Sequence, residues 1–179
     1  MKLLGFTFDS RPNANKHAEL LIGRFYNKLW TLRYLKKSGL EEDKLLEVYY
    51  SSIRSAIEYC SNVYHTQIQK SQSDKLESIQ RHALRIIYGY QCNIDEVMTA
   101  KCIKKLEDRR EESLLNFALK NEHTEKFGQR WFKPVLNSST RNIRNSTREK
   151  YSVPYCRTER LRSNPVIQMT IMLNEHYKN

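Results

Sequence analysis

The chain contains few of the residues that build turns and loops. Its 179 residues include only 5 glycines and 4 prolines, which argues against a loop-rich all-β fold. No apolar run approaches the length of a membrane-spanning helix, so we expect no membrane partner. The 4 cysteines form no CxxC pair, and the spacing of Cys92 and Cys102 to the histidines matches no standard zinc site.

The sequence also lacks the short motifs of common catalytic and nucleotide-binding sites. It contains no GxxxxGK(S/T) phosphate loop, no GxGxxG, no GxSxG elbow and no HExxH. No pair of carboxylates falls on neighbouring strands, where it would hold two metal ions, and the 5 histidines are scattered. We therefore expect this chain alone to be no enzyme, with no metal site, no cofactor and no small-molecule substrate.

Positive charge is abundant and unevenly distributed, with a net charge of +11. Residues 1–40 carry 8 lysines and arginines against 2 acids, residues 141–162 carry 7 against 2, and residues 41–140 carry 15 of each. Two basic blocks around a neutral middle suit a polyanion, and closely spaced phosphates favour nucleic acid as the partner. The alternative is that the charges serve solubility, with a basic disordered tail.

The first ten residues predict a β-strand that ends in a turn. Leu4, Phe6 and Phe8 alternate with small or polar residues, the period of a strand with one buried face. Turn-forming residues follow at 9–13. A lone strand leaves its backbone groups unpaired, so we expect it to pair with another molecule, to fray, or to form a weak hairpin with a nearby segment.

Three longer segments have the apolar spacing of amphipathic helices. Residues 14–37, 41–64 and 73–88 repeat apolar side chains at i, i+3, i+4 and i+7. Gly89 is positioned to end the third of them. The short connections between these helices predict a three-helix bundle, and a mainly α fold with a single preceding strand.

The whole chain is predicted to divide into four segments. They are a strand and turn at 1–12, the bundle at 13–90, additional helices at 91–128, and an extended basic arm at 129–179 that ends in a short helix. The additional helices are expected near 93–102 and 104–121, and the terminal helix near 167–173. The charged residues between Lys104 and Glu112, Arg109 and Arg110 among them, predict a solvated helix face.

Two pairs of cations recur one helical turn apart in the bundle. Arg24 with Lys28, and Arg81 with Arg85, are spaced to contact the phosphates of a duplex. The alternative for all four is ordinary solvation.

An aromatic ridge shares a helix with the first pair. Tyr26, Trp30 and Tyr34 recur every four residues opposite the apolar stripe, where they would stack on unpaired bases or pack on another domain.

The basic arm is a weaker candidate for nucleic-acid binding. Its cations alternate with Tyr151 and Tyr155, a mixture that suits backbone contacts with some stacking. The alternative is a solvated tail. The candidate contacts of the arm are Arg157, Arg160 and Arg162, and its other cations are Arg141, Arg144, Arg148 and Lys150.

Several segments, in order, resemble the C-terminal part of reverse transcriptases from jockey-type non-LTR retrotransposons. LLGFTFDS at 3–10 is similar to the end of the family's palm domain, and YSSIRSAIEY at 50–59 and LESIQRHALRIIYG at 76–89 are similar to thumb motifs. LEDRRE at 106–111 and RTERLRS at 157–163 are similar to later family motifs. The likeness extends over nearly the whole chain.

The resemblance implies a thumb-like bundle that clamps a template–primer duplex, either RNA–DNA or DNA, through backbone contacts. Such polymerases use two Mg²⁺ ions held by palm aspartates, a motif that would precede Met1, so we expect no polymerase activity from this chain. If the parent element is active, the site of action would be nuclear. The alternatives are a module that docks onto a separate palm or another protein, and a transposon relic without selected function.

Overall fold

The computed structural model describes residues 2–3, 5–7, 14–135 and 150–178. The mainly α class is confirmed. The chain forms two compact units, Met1–Arg110 and Glu111–Asn179. The predicted strand residues Leu4 and Phe8, the turn at 9–13 and the arm residues Arg141, Arg144 and Arg148 lie outside the described residues.

The first unit contains the N-terminal β-structure and the helical bundle. Its elements are β1 (Lys2–Leu3), β2 (Phe6–Thr7), α1 (Asn15–Lys37), α2 (Glu42–Val48), a π-helix (Tyr49–Arg54), α3 (Ser55–Glu58), α4 (Ser61–Tyr64), a 3₁₀ turn (His65–Gln67), α5 (Lys70–Tyr88) and α6 (Ile94–Ala100). Helix α7 (Leu106–Asn121) begins in the first unit and continues into the second. The second unit also contains α8 (Gly128–Trp131), α9 (Glu159–Arg162) and α10 (Pro165–His176).

The predicted N-terminal strand folds back on itself as a small antiparallel hairpin. Lys2 pairs with Thr7, and Leu3 pairs with Phe6. Gly5 makes the reversal possible because its φ of +85° lies in the left-handed region that suits glycine. Phe6 is buried in the core of the first unit, with its ring 4.3 Å from that of His17. The hairpin therefore packs against α1.

Helices α1 and α5 lie side by side and run in the same direction. At their N-terminal ends, the backbone amide of Gln69 donates to Asn15 Oδ1 over 3.0 Å. At their C-terminal ends, Lys36 Nζ donates to the backbone carbonyl of Ile87 over 2.5 Å. The chain between them must return along the bundle, and α2 to α4 make this return. The predicted three-helix bundle is thus an up–down–up arrangement.

The seam between the bundle helices follows the predicted apolar positions. Helix α1 buries Ala18, Leu21, Phe25, Leu29 and Leu32 on one face. Helix α5 adds an apolar face of its own, and it ends at Gly89, whose φ is +98°. Since an isolated helix is marginal in water, this buried seam is the main source of stability for both helices.

The second predicted helix, 41–64, is interrupted twice. The π-helix widens one turn, and the carbonyls there accept side-chain bonds: Ser52 Oγ donates to the Val48 carbonyl over 2.6 Å, and Lys28 Nζ donates to the Ser52 carbonyl. Cys60 then adopts a left-handed φ of +57°, which ends α3. Helix α4 starts after this break, so its residues do not continue the apolar spacing of α3. Tyr64 is buried as a result, and Val63 is exposed.

Helix α6 and the start of α7 belong to the first unit, although residues 91–128 are predicted as a segment separate from the bundle. Ile94, Ile103 and Leu106 join the core of the bundle. Gln80, which is buried in α5, accepts from the Tyr49 hydroxyl over 2.8 Å and donates to the Lys104 carbonyl over 3.1 Å. These tertiary contacts fix residues 94–110 against the bundle.

The predicted solvated face on α7 is wrong for its two arginines. Arg110 is completely buried, and its Nη2 donates to Ser73 Oγ over 2.7 Å. Arg109 forms a two-point ion pair with Glu58, with Nη2 to Oε2 at 3.1 Å. The charges of these residues predicted exposure to solvent, but the contacts of residues 106–110 with Glu58 and Ser73 leave Arg109 partly buried and Arg110 buried.

The second unit is organised around a buried carboxylate. Glu122 accepts from Lys150 Nζ over 2.7 Å, from the Tyr177 hydroxyl over 2.7 Å and from the Tyr151 hydroxyl. Asn174 holds the same segment by bonding both the amide and the carbonyl of Tyr151 over 2.8 Å. Tyr151 is therefore a core residue of this unit, and the expectation that it stacks on bases is wrong.

The described part of the predicted arm begins with α8 and ends with α9 and α10, so it is more helical than an extended arm. Residues 152–156 have no regular structure. The terminal helix is longer than 167–173 because Asn164 caps it and Pro165 occupies its first position. Met169 and Leu173 of α10 pack with Phe132 and Leu114 in the core of the second unit.

The first unit is expected to lose stability in mild acid through His65. Burial and the nearby Arg110 charge lower the pKa of His65 to about 4, against about 6.5 in the unfolded chain. The unfolded state therefore binds more protons below pH 6.5. The stabilisation is complete above that pH and declines by about 2–3 kcal/mol as pH falls through 4.

Urea unfolding followed by circular dichroism between those pH values measures this slope. His65→Gln should flatten it, while a contribution of the same sign remains from His17 and His82, whose pKa values are also lowered. An unchanged slope in the variant would show that His65 is accessible to protons in the folded state.

The second unit is expected to depend on the charge of Glu122. Burial opposes ionisation, but the bonds from Lys150, Tyr151 and Tyr177 outweigh it and lower the pKa of Glu122 to about 2. Glu122→Gln removes the partner of Lys150 and should destabilise this unit by about 3 kcal/mol. Tyr151→Phe, which removes one hydrogen bond, should destabilise it by about 1–2 kcal/mol.

Hydrogen exchange of the amides of α10 reports on this unit directly. Equal protection of α10 in Glu122→Gln and the natural chain would contradict the role given to the carboxylate.

Candidate nucleic-acid interface

A basic groove lies where α1 and α5 end. It encloses about 340 Å³ and is lined by Arg33, Lys36, Lys37, Arg85, Ile86, Gly89 and Tyr90. Three of its four cations come from the last turns of α1 and one comes from α5. They converge because the two helices are parallel, so that both C-termini reach the same end of the bundle. We call this surface the basic groove.

The cations of the basic groove face the negative ends of two helix dipoles. Each helix C-terminus carries about half a negative charge, and basic residues there stabilise it. Lys36 serves this function directly through its bond to the Ile87 carbonyl. Two helix ends contribute about −1 in total, against +4 from the lysines and arginines that line the groove. The groove therefore keeps a net positive charge of about +3.

No carboxylate neutralises the groove in the part of the chain that the structure describes. None of its four cations is ion-paired there, whereas six other cations of the first unit are: Lys44, Arg54, Lys70, Arg81, Lys101 and Arg109. Arg33 donates instead to the neutral ring of His82, with Nη2 at 2.6 Å from Nε2. Exposed Tyr90 lies edge-on to the same ring. A concave positive surface without internal counter-charge is suited to a phosphate.

The titration of His82 is coupled to the charge of the basic groove. Partial burial lowers the pKa of His82, and the charges of Arg33 and Arg85 lower it further. His82 is therefore neutral at pH 7, and its ring nitrogen is available to accept the bond from Arg33. Any anion that enters the groove will act on this pKa in the opposite direction.

Arg24 and Lys28 line a different groove on the other flank of α1. This second groove encloses about 490 Å³ between α1 and the segment from Ser55 to Tyr59. Lys28 uses its ammonium group to bond the Ser52 carbonyl of the π-helix. The predicted pair thus shares one groove, in which Lys28 has a structural partner and Arg24 is exposed.

Arg81 and Arg85 are separated in the structure despite their helical spacing. Arg81 forms a two-point ion pair with Asp95 of α6. Arg85 turns toward α1 and joins the basic groove. Of the four predicted bundle contacts, only Arg85 belongs to the larger cluster of unpaired cations.

The predicted aromatic ridge is exposed along α1. Tyr26, Trp30 and Tyr34 are 54%, 65% and 59% exposed. The rings of Trp30 and Tyr34 are nearly parallel, with centroids 5.8 Å apart and planes inclined by 16°. Arg33 follows Trp30 by three residues, and Lys37 follows Tyr34 by three, so these cations lie beside the ridge on the same helix. The ridge therefore borders the basic groove.

Arg157, Arg160 and Arg162 are exposed in the second unit around the short helix α9. Thr158 caps this helix by accepting from the Leu161 amide over 3.2 Å. Tyr155, the neighbouring aromatic residue, is 91% exposed. The three arginines flank one helical turn.

The comparisons with known proteins leave the chain without an assigned relative: no family model matches it, and no curated protein or solved structure does either. Among the described residues, no three histidine, cysteine or acidic side chains are grouped to hold a metal ion. No described helix combines the length and apolar character needed to cross a bilayer.

Sequence reasoning missed four residues of the basic groove: Arg33, Lys36, Lys37 and Tyr90. A signal for three of them is present, because basic residues in the last turn of a predicted helix mark its C-terminus. The parallel direction of the first and third helices cannot be predicted from the sequence alone. Without that fact, α1 and α5 cannot be seen to share their basic ends.

Anion binding in the basic groove should raise the pKa of His82. A bound anion offsets the Arg33 and Arg85 charges that lower this pKa. Nuclear magnetic resonance of the His82 ring, titrated in sodium sulfate and in sodium chloride at equal ionic strength, measures the difference. Sulfate represents a phosphate group and does not itself titrate in this range.

His65 provides the internal control because it is partly buried and lines neither groove. Its pKa should be the same in the two salts. Equal shifts of His65 and His82 would indicate a general salt effect and would contradict a sulfate site in the groove.

Proposed function

We propose that the first unit binds nucleic acid through phosphate contacts in the basic groove, without strong preference for sequence. The observation that carries this proposal is the convergence of Arg33, Lys36, Lys37 and Arg85 on one groove in which no described carboxylate opposes them. Lysine and arginine contacts to phosphates supply most of the affinity of sequence-independent binding. The proposed partner is a duplex of RNA with DNA, or of DNA.

The proposed biological role is that of a polymerase thumb, which holds a template–primer duplex. This part of the proposal depends on the resemblance of the motifs at 50–59, 76–89 and 106–111 to jockey-type reverse transcriptases. In the fold, these motifs contribute contacts between helices: Glu58 of the first pairs with Arg109 of the third, and Gln80 of the second bonds Tyr49 and Lys104. They therefore support the bundle that carries the groove. The proposal assigns no chemical step to any residue of this chain.

Arg24, Lys28, Arg81 and the second-unit residues Arg157, Arg160 and Arg162 remain secondary candidates for phosphate contact. Lys28 and Arg81 would have to exchange an existing partner for a phosphate, since they bond Ser52 and Asp95. Arg24 and the three second-unit arginines are exposed. We expect their contributions to be smaller than those of the basic groove.

Binding to a fluorescently labelled RNA–DNA hybrid should weaken steeply with salt. If the four cations of the basic groove neutralise four phosphates, the affinity should fall about hundredfold between about 50 and 200 mM salt. Lys37→Glu should weaken binding by about tenfold or more and lower the salt slope by about one. Fluorescence anisotropy, with hybrids of two unrelated sequences, measures both quantities.

Lys75→Glu is the matched control, because it makes the same charge change at an exposed position of α5 away from the groove. It should change the affinity by no more than about twofold. Equal losses in Lys37→Glu and Lys75→Glu would mean that only net charge matters. Absence of binding to either hybrid at low salt would refute the proposed function.

The exposed ridge supports a second candidate function, which is docking onto another protein. A module that docks onto a separate palm or another protein would use Tyr26, Trp30 and Tyr34 as its apolar contact. Light scattering after size-exclusion chromatography, with and without the hybrid, separates self-association of the ridge from binding to nucleic acid.

A further inference from the structure

We infer that the ridge and the basic groove together bind an unpaired stretch of nucleic acid, with a base stacked on Trp30 or Tyr34 and an adjacent phosphate in the groove. This inference extends the proposed function, because it names the strand form that the same site prefers. The preferred ligand is therefore a duplex that carries a single-stranded extension.

The first support is the geometry of the aromatic pair. Trp30 and Tyr34 already lie in parallel planes, and both are exposed by more than half. A centroid separation of 5.8 Å leaves no room for a base between them, because each stacked layer occupies about 3.4 Å. A base would therefore stack on an outer face of the pair. In a paired duplex the faces of the bases are covered by their neighbours, so an unpaired base is the fitting ligand.

The second support is the charge beside the rings. Arg33 and Lys37 lie within one helical turn of Trp30 and Tyr34, and both line the basic groove. The α1 face therefore offers aromatic and cationic groups side by side, the combination that tracks a single strand. An apolar protein surface would complement the rings but would leave these two cations without counter-charge.

The third support is the difference between the two flanks of α1. On the other flank, Lys28 bonds the Ser52 carbonyl and the groove contains the buried His17. The ridge leans away from that flank, because Trp30 and Tyr34 share the arc of Arg33 and Lys37 on the helix. The other flank offers one exposed ring, Tyr59, beside Arg24, whereas the α5 side of α1 offers two exposed rings beside two cations that have no ion-pair partner among the described residues.

The test uses the full chain with Trp131→Phe, which leaves Trp30 as the sole tryptophan of the original 2. The probes are a blunt RNA–DNA hybrid and the same hybrid with a short single-stranded extension. The extended hybrid should quench the fluorescence of Trp30 and bind about tenfold more tightly than the blunt one. The blunt hybrid should bind with little quenching.

Ring substitutions separate stacking from charge. Trp30→Ala should remove most of the preference for the extended hybrid, whereas Trp30→Phe should retain much of it. Tyr155→Ala, which removes an exposed ring of the second unit, serves as the control and should leave the preference unchanged. Circular dichroism verifies that each variant is folded, as expected for exposed positions.

The outcomes distinguish this inference from the function on which it rests. Tight binding of both hybrids with equal affinity and no quenching overturns the inference and leaves duplex binding intact. Failure of both hybrids to bind at low salt overturns the proposed function and the inference with it. If Trp30→Ala abolishes self-association and leaves hybrid binding unchanged, the ridge is a protein interface and the inference is wrong.

Discussion

The parallel packing of α1 against α5 is the constraint on which the rest of the first unit depends. Hydrogen bonds join the two helices at both ends, from Gln69 to Asn15 and from Lys36 to Ile87. Parallel neighbours require the chain to return along the bundle, and the interrupted segment from α2 to α4 provides that return. The same direction brings two helix C-termini together, where their carbonyls favour lysine and arginine. The basic groove is thus a consequence of the topology.

The cations of the basic groove can stabilise the two helix C-termini or bind a phosphate, and these two roles compete for the same side chains. Helix ends attract cations and repel anions, but their combined charge of about −1 is small beside four full positive charges. Lys36 is committed to a carbonyl and Arg33 to His82, while Lys37 and Arg85 have no such partner among the described residues. We therefore regard Lys37 and Arg85 as the side chains most readily available to a phosphate, and Lys36 as a contributor to the stability of the helix ends.

Apolar periodicity in the sequence was sufficient to predict the long helices α1 and α5, but it was not sufficient to predict the basic groove. The buried stripe of α1 and the end of α5 at Gly89 follow from local spacing and from backbone chemistry. The π-helix did not follow from apolar spacing, and one of its carbonyls accepts a bond from Lys28, 24 residues away from Ser52. The burial of Arg110 and Tyr151 likewise depends on partners distant in sequence, Ser73 and Asn174. Exposed aromatic residues at Trp30 and Tyr34 were predictable, but the position of Arg85 of α5 in the same groove as the α1 cations required the direction of that helix.

We propose that a polyanion binds where α1 and α5 end. To test this, amide resonances of the whole chain are recorded while an RNA–DNA hybrid with a single-stranded extension is added at low salt. We expect the largest shifts on residues 30–37 and 85–90, with small changes in the second unit. Largest shifts around Arg157 to Arg162, or around Arg24 and the π-helix, would contradict it.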